Sequence, residues 1–109
     1  MKYRVIIETR AERDINAIVI WLAEESERVA LDWYRALRGA IKSLEQFPER
    51  CSLAPENGFV TFELRQLLHG TGRHVYRILF TVVKGQVHVL HVRHGAQVWL
   101  DSEDIEGPA

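Results

Sequence analysis

Arg73 to His94, RHVYRILFTVVKGQVHVLHVRH, constrains this chain more than any other stretch. It is two β-branched, aromatic-rich runs joined at Lys84-Gly85, the pattern of a β-hairpin. A two-residue turn there sets Val83 opposite Gln86. Tyr76, Ile78, Phe80 and Val82 then share one sheet face with Val87 and Val89. Arg77, Leu79 and Thr81 share the other with His88, Leu90, Val92 and His94. Both faces are largely apolar, so the pair is expected to lie centrally with something covering each side. The same arithmetic places Arg77 and His94 on one face, near the open end of the hairpin.

The rest of the chain supplies the covering layers. Lys2 to Glu8 alternates imperfectly and reads as a strand. Thr9-Arg10-Ala11-Glu12 has the form of a capping box opening a helix, whose apolar stripe is Ala11, Ile15, Ile18, Val19 and Leu22. Ser26 is the expected cap of a second helix with the stripe Ala30, Trp33, Leu37, Ala40, Ile41 and Leu44. Phe47-Pro48 stops it. Two short-linked amphipathic helices make an antiparallel hairpin, expected on one face of the sheet. Pro48 to Val60 is a long, punctuated loop, and such loops are usually functional or mobile. Thr61 to Leu68 resumes a strand pattern, and Gly70-Thr71-Gly72 turns into the hairpin. The fold expected is α+β: strand, helix, helix, then a three-stranded antiparallel meander, with the helices on one face of a small twisted sheet. Residues 1–100 form one domain, and 101–109, DSEDIEGPA, an acidic tail expected to fray.

Composition narrows the partners. With 109 residues there is room for one core without staples. One cysteine, Cys51, excludes an internal disulfide or a multi-thiolate metal site and favours a reducing compartment. No run approaches membrane-spanning length. The net charge is −1 and the pI about 6.5, so nucleic-acid binding would need a local patch. Arg28, Arg35, Arg38 and Lys42 line one side of the second helix. They form either a docking face or, with Asp32 and Glu45 nearby, a solvated mixed face.

The order of elements resembles the RelE/ParE superfamily of bacterial toxins from type II toxin–antitoxin modules, also known as plasmid stabilisation systems. The residues that carry the likeness are the opening strand into a charged helix, Phe47-Pro48, Leu64-Arg65, Tyr76-Arg77-Ile78-Leu79-Phe80 and Val89-Leu90-His91-Val92-Arg93-His94-Gly95. The resemblance implies a cytoplasmic growth inhibitor held inactive by a cognate antitoxin in a hetero-oligomer. RelE-like members cut messenger RNA on the ribosome, whereas ParE-like members poison DNA gyrase.

RNA cleavage through the 2′-hydroxyl needs a base, an acid and positive charge on the phosphate. By the resemblance, Arg77 matches the phosphate-binding arginine of RelE-like enzymes; otherwise it anchors an antitoxin carboxylate or spans the sheet rim. His94 could move a proton near neutrality, although a strand-end histidine is more often structural. Arg65 joins the same cleft only if the strand register allows. RelE-like enzymes carry a further arginine after the last strand and a late Tyr or His. Here Gly95-Ala96-Gln97 stands in that region, and no Tyr or His follows His94. The reading is therefore a ParE-like binder of a macromolecule rather than an enzyme. The alternatives are a RelE-like ribosome-dependent ribonuclease and a non-toxic module that only binds antitoxin. His88 and His94 lie about 20 Å apart along a strand and cannot share a metal. No metal or cofactor is expected. The antitoxin is expected over the face carrying Leu79, Leu90 and Val92 or along a sheet edge, with acidic side chains reaching Arg65 or Arg77.

Overall fold

A computed structural model describes residues 2–70, 74–95, 97, 100, 104–105 and 107–108. Strand β1 (Arg4–Ile7) leads into helices α1 (Thr9–Ala23) and α2 (Glu27–Lys42). Three 3₁₀ turns then precede strands β2 (Arg65–His69), β3 (Tyr76–Val83) and β4 (Gln86–His94). The sheet order is β1-β4-β3-β2. β1 runs parallel to β4, which leaves β1 at one edge, and the other pairs are antiparallel. The expected α+β fold is present, with the opening strand completing a four-stranded mixed sheet. No helix among the described residues is long and apolar enough to cross a membrane.

The helices form because their apolar residues recur at helical spacing, and they stay because those residues meet the sheet. Ala11 and Ile15 of α1, Leu37 and Ile41 of α2, and Leu44 pack on Ile78, Phe80, Val87, Val89 and Val92. Each large side chain so buried contributes about 1.5–3 kcal/mol. Ser26 caps α2 as expected, its side chain accepting a hydrogen bond from the Val29 N–H at 3.2 Å. The capping box at Thr9 does not form. Thr9 is already the first helical residue, and the N-cap position falls on Glu8, which makes no side-chain cap. Strand pairing displaces the helix start: the Glu8 N–H still bonds the Val89 carbonyl at 2.9 Å, and its carboxylate reaches His88.

The hairpin turns at Lys84-Gly85, and Val83 opposes Gln86. Lys84 and Gly85 have φ of 49° and 78°, the left-handed pair that a tight two-residue hairpin turn requires. Pairing stays regular as far as Phe80 and Val89, and then Leu79 faces His91, a β-bulge with one extra residue on β4. A shift of one residue exchanges the faces of everything beyond it. Val92 therefore lies opposite Ile78 and His94 opposite Tyr76, on the helix side, whereas regular alternation places both with Arg77. Arg77 and His94 are on opposite faces of the sheet.

The second face is covered by the chain itself. Ala54 and Leu64 from the long loop, with Leu100 and Ile105 from the C-terminal segment, pack on Leu79 and Leu90. The loop is tied down by the Ala54 N–H to the Leu64 carbonyl, the Gln66 N–H to the Ser52 carbonyl, and the Leu64 N–H to Asn57 Oδ1. It is a structural layer, which is why β2 begins only at Arg65 and not at Thr61. Ile105 is buried, so this part of the acidic tail is packed rather than frayed. Residues 101–103, 106 and 109 of that tail lie outside the described residues, as do Thr71 and Gly72 of the expected turn.

Candidate partner-binding surface

Among the described residues, Arg77 is the one Lys or Arg that is buried. Strand β3 turns it towards the second face, where it is buried against Glu56, a fully buried carboxylate from the long loop. Its Nη1 and Nη2 donate to the two Glu56 oxygens, Nη1 at 3.1 Å, and its Nε donates to Gln66 Oε1 at 2.9 Å. The Leu100 N–H adds a donor to Glu56 Oε2 at 3.1 Å. Burial by itself would raise the Glu56 carboxyl's pKa. The guanidinium and the backbone N–H outweigh it and hold the group below its ordinary value. Buried and committed through Nε, Nη1 and Nη2 to Gln66 and Glu56, the Arg77 fork is not presented to a phosphate from solvent.

Arg65 is spent in the same way. Its Nη1 donates to the carbonyls of Cys51 at 2.6 Å and Glu49 at 3.3 Å, and its Nη2 pairs with Glu63. The two arginines thus anchor opposite ends of one loop. Cys51 itself is buried, and that burial pushes its thiol up, with Arg50 and Arg65 opposing.

The histidines diverge. His88 hydrogen-bonds Glu8 at 2.7 Å, beside the start of α1. His91 Nδ1 meets Asp14 Oδ2 at 3.2 Å, and its Nε2 meets the Asp104 carbonyl at 3.0 Å. Asp14 also accepts the Val92 N–H at 3.0 Å, so α1 supplies β4 with the acceptor it lacks once β1 has ended. The His94 ring stands edge-on to Tyr76, centroids 5.1 Å apart, and Tyr76 contacts Trp33 in turn. The three histidines project to three different places. Of the expected contact residues, Leu79, Leu90 and Val92 are all buried. The face expected to stay open for a partner is closed by the chain's own loop and C-terminal segment.

What stays open is the other edge of the sheet. The N–H groups of Arg4 and Glu8 bond the carbonyls of Gly85 in the hairpin turn and Val89 in β4, so by alternation Val5 and Ile7 turn their backbone groups outward. A groove runs between this edge and α2, lined by Tyr3, Val5, Ile7 and Ile41 and rimmed by Lys2, Arg4, Arg38, Lys42 and Glu45. Lys2 pairs with Glu45 at 3.3 Å and Arg38 with Glu12 at 3.3 Å. Arg4 and Lys42 have no acidic partner among the described residues. An apolar floor, unpaired strand groups and a cationic rim suit an extended acidic segment.

Comparison with known proteins agrees with the architecture. The family described as the ParE toxin of the type II toxin–antitoxin system parDE matches residues 5–99. The chain belongs to this ParE toxin family. Toxin RelE1 of Caulobacter vibrioides is 30% identical over 98 residues, covering 89% of this chain and 98% of that protein. A solved structure of the chromosomal ParDE system from P. aeruginosa superposes with a TM-score of 0.64 at 17% identity. It covers 85% of this chain and 96% of that one, a likeness of fold.

For this ParE-family toxin, sequence reasoning found the arginines and missed what they hold. Glu56 lies in an aperiodic loop and carries no motif. The available signal was Arg77 itself: a guanidinium between Tyr76 and Ile78 in a strand apolar on both faces needs a buried carboxylate. The open edge was missed because Lys2 to Glu8 shows a strand without showing its neighbour.

Proposed function

We propose that this toxin arrests growth by binding a macromolecular target, DNA gyrase by family resemblance, without turnover of its own. The observation that carries the reading is the commitment of Arg77 to Glu56, Gln66 and the loop. The position that would hold a scissile phosphate in a RelE-like enzyme is used to hold the fold. Arg65 is similarly engaged, and His94 stands on the opposite face. A cognate antitoxin neutralises the toxin, and the β1–α2 groove is the surface whose chemistry fits it. An acidic extended segment there would add a strand to β1 and place carboxylates against Arg4 and Lys42.

Purified toxin added to gyrase supercoiling reactions and to ribosomes programmed with messenger tests this reading. Loss of supercoiling with intact messenger is expected. Cleavage at the ribosomal A site would sink it in favour of the ribonuclease, the alternative suggested by the name of the C. vibrioides relative. Normal growth after induction without antitoxin would leave only an antitoxin-binding module.

A further inference from the structure

The tip of the helical hairpin combines exposed apolar side chains with unpaired acid. Ile20 and Trp21 in the last turns of α1 and Val29 in the first turn of α2 are 65%, 59% and 52% exposed. Glu24, Glu25 and Glu27 surround them and are exposed as well. None pairs with a cation among the described residues, and the neighbouring Arg28 is directed to Asp32 at 3.7 Å.

Local folding accounts for only part of this. Glu27 sits in the first turn of α2, where a carboxylate complements the helix dipole. Glu24 and Glu25 follow α1 at its negative end, where carboxylates are unfavourable and cations favoured, and no basic residue stands in that last turn. Trp21 likewise keeps most of its surface in water. Two features that cost the isolated chain coincide at one place.

We propose that this tip is the surface that engages the toxin's target, a protein offering an apolar cleft rimmed by lysine or arginine, with Trp21 as the anchor. This rests on the reading that the toxin acts by binding a protein. Tryptophan is the residue type most enriched among side chains that dominate interface energetics. The unpaired carboxylates select the partner's sign and steer its approach. The cationic groove lies towards the other end of α2, a helix of 16 residues, or about 24 Å at about 1.5 Å per residue. Acidic and basic partners therefore meet different ends of the molecule.

Two variants test the assignment: Trp21→Ala, and the charge reversal Glu24→Lys/Glu25→Lys/Glu27→Lys. Each is compared with wild type for growth arrest on induction, for inhibition of purified gyrase, and for folding by thermal melting. At least about thirty-fold more Trp21→Ala than wild type should be needed for half-inhibition of supercoiling. The charge reversal should weaken inhibition and invert its sensitivity to salt, because lysines repel a cationic rim and salt screens that repulsion. Folded variants that arrest growth and inhibit gyrase like wild type would overturn the tip and leave the proposed function standing. Wild-type toxin that spares gyrase and cuts messenger would overturn the proposed function, and the tip's role with it. A wild-type dimer that Trp21→Ala turns into an equally inhibitory monomer would assign the tip to self-association and overturn the proposal. If Trp21→Ala does not fold, the charge reversal decides alone.

Discussion

Arg77 and Glu56 show how one side chain can be conspicuous in a sequence for a reason other than chemistry on a substrate. Both are taken out of water, and removing one leaves the other buried without its counter-charge. Arg77→Ala or Glu56→Ala should therefore cost about 3–5 kcal/mol in urea unfolding. Replacing both with methionine should recover much of that loss, because no orphaned charge remains. The pH dependence follows from the depressed Glu56 carboxyl. The unfolded chain takes up the proton first, at about pH 4.3. The pair's contribution is thus complete above that value and is lost as pH falls through the lower folded value. Melting curves between pH 7 and pH 3 should show this loss in wild type, and less of it in Glu56→Gln.

At the scale of elements, patterns that repeat were legible and interruptions were not. The apolar stripes gave both helices, and the β-branched runs with Lys84-Gly85 gave the hairpin and its turn. The bulge left no mark, because Val89 and Leu90 are both apolar and either parity satisfies an alternating pattern. That single inserted residue moved Val92 and His94 to the helix side and separated His94 from Arg77. Helix starts divide in the same way. Ser26 has the geometry of a cap, and Ser26→Ala should cost about 1 kcal/mol. Thr9 has the motif without the geometry, since the chain is still paired to β4 at Glu8. Thr9→Ala should change stability by less than about 0.5 kcal/mol. Equal losses for the two variants in urea titrations would contradict the assignment of the N-caps.

At the scale of the whole molecule, the sheet needed two covers, and the chain provides both. The apolar face of Leu79 and Leu90 is part of the core, so Leu79→Asp or Leu90→Asp should unfold the toxin rather than detach a partner from it. A partner has to use what the fold leaves open, and the outer edge of β1 offers outward backbone groups beside Arg4 and Lys42, which have no acidic partner among the described residues. Charged residues on an edge strand discourage pairing with another copy of the same edge. Like charges would face one another there, whereas an acidic strand meets the opposite sign. The double variant Arg4→Glu/Lys42→Glu should fold normally, because Arg4 and Lys42 are exposed. It should bind co-expressed antitoxin more weakly, mainly through a slower on-rate, and the effect should shrink as salt rises. Val5→Pro, which removes an outward N–H from the edge, should slow nothing on approach but hasten release. If the charge-reversed toxin associated as fast as wild type in stopped-flow mixing at low salt, the antitoxin would have to dock elsewhere on the molecule.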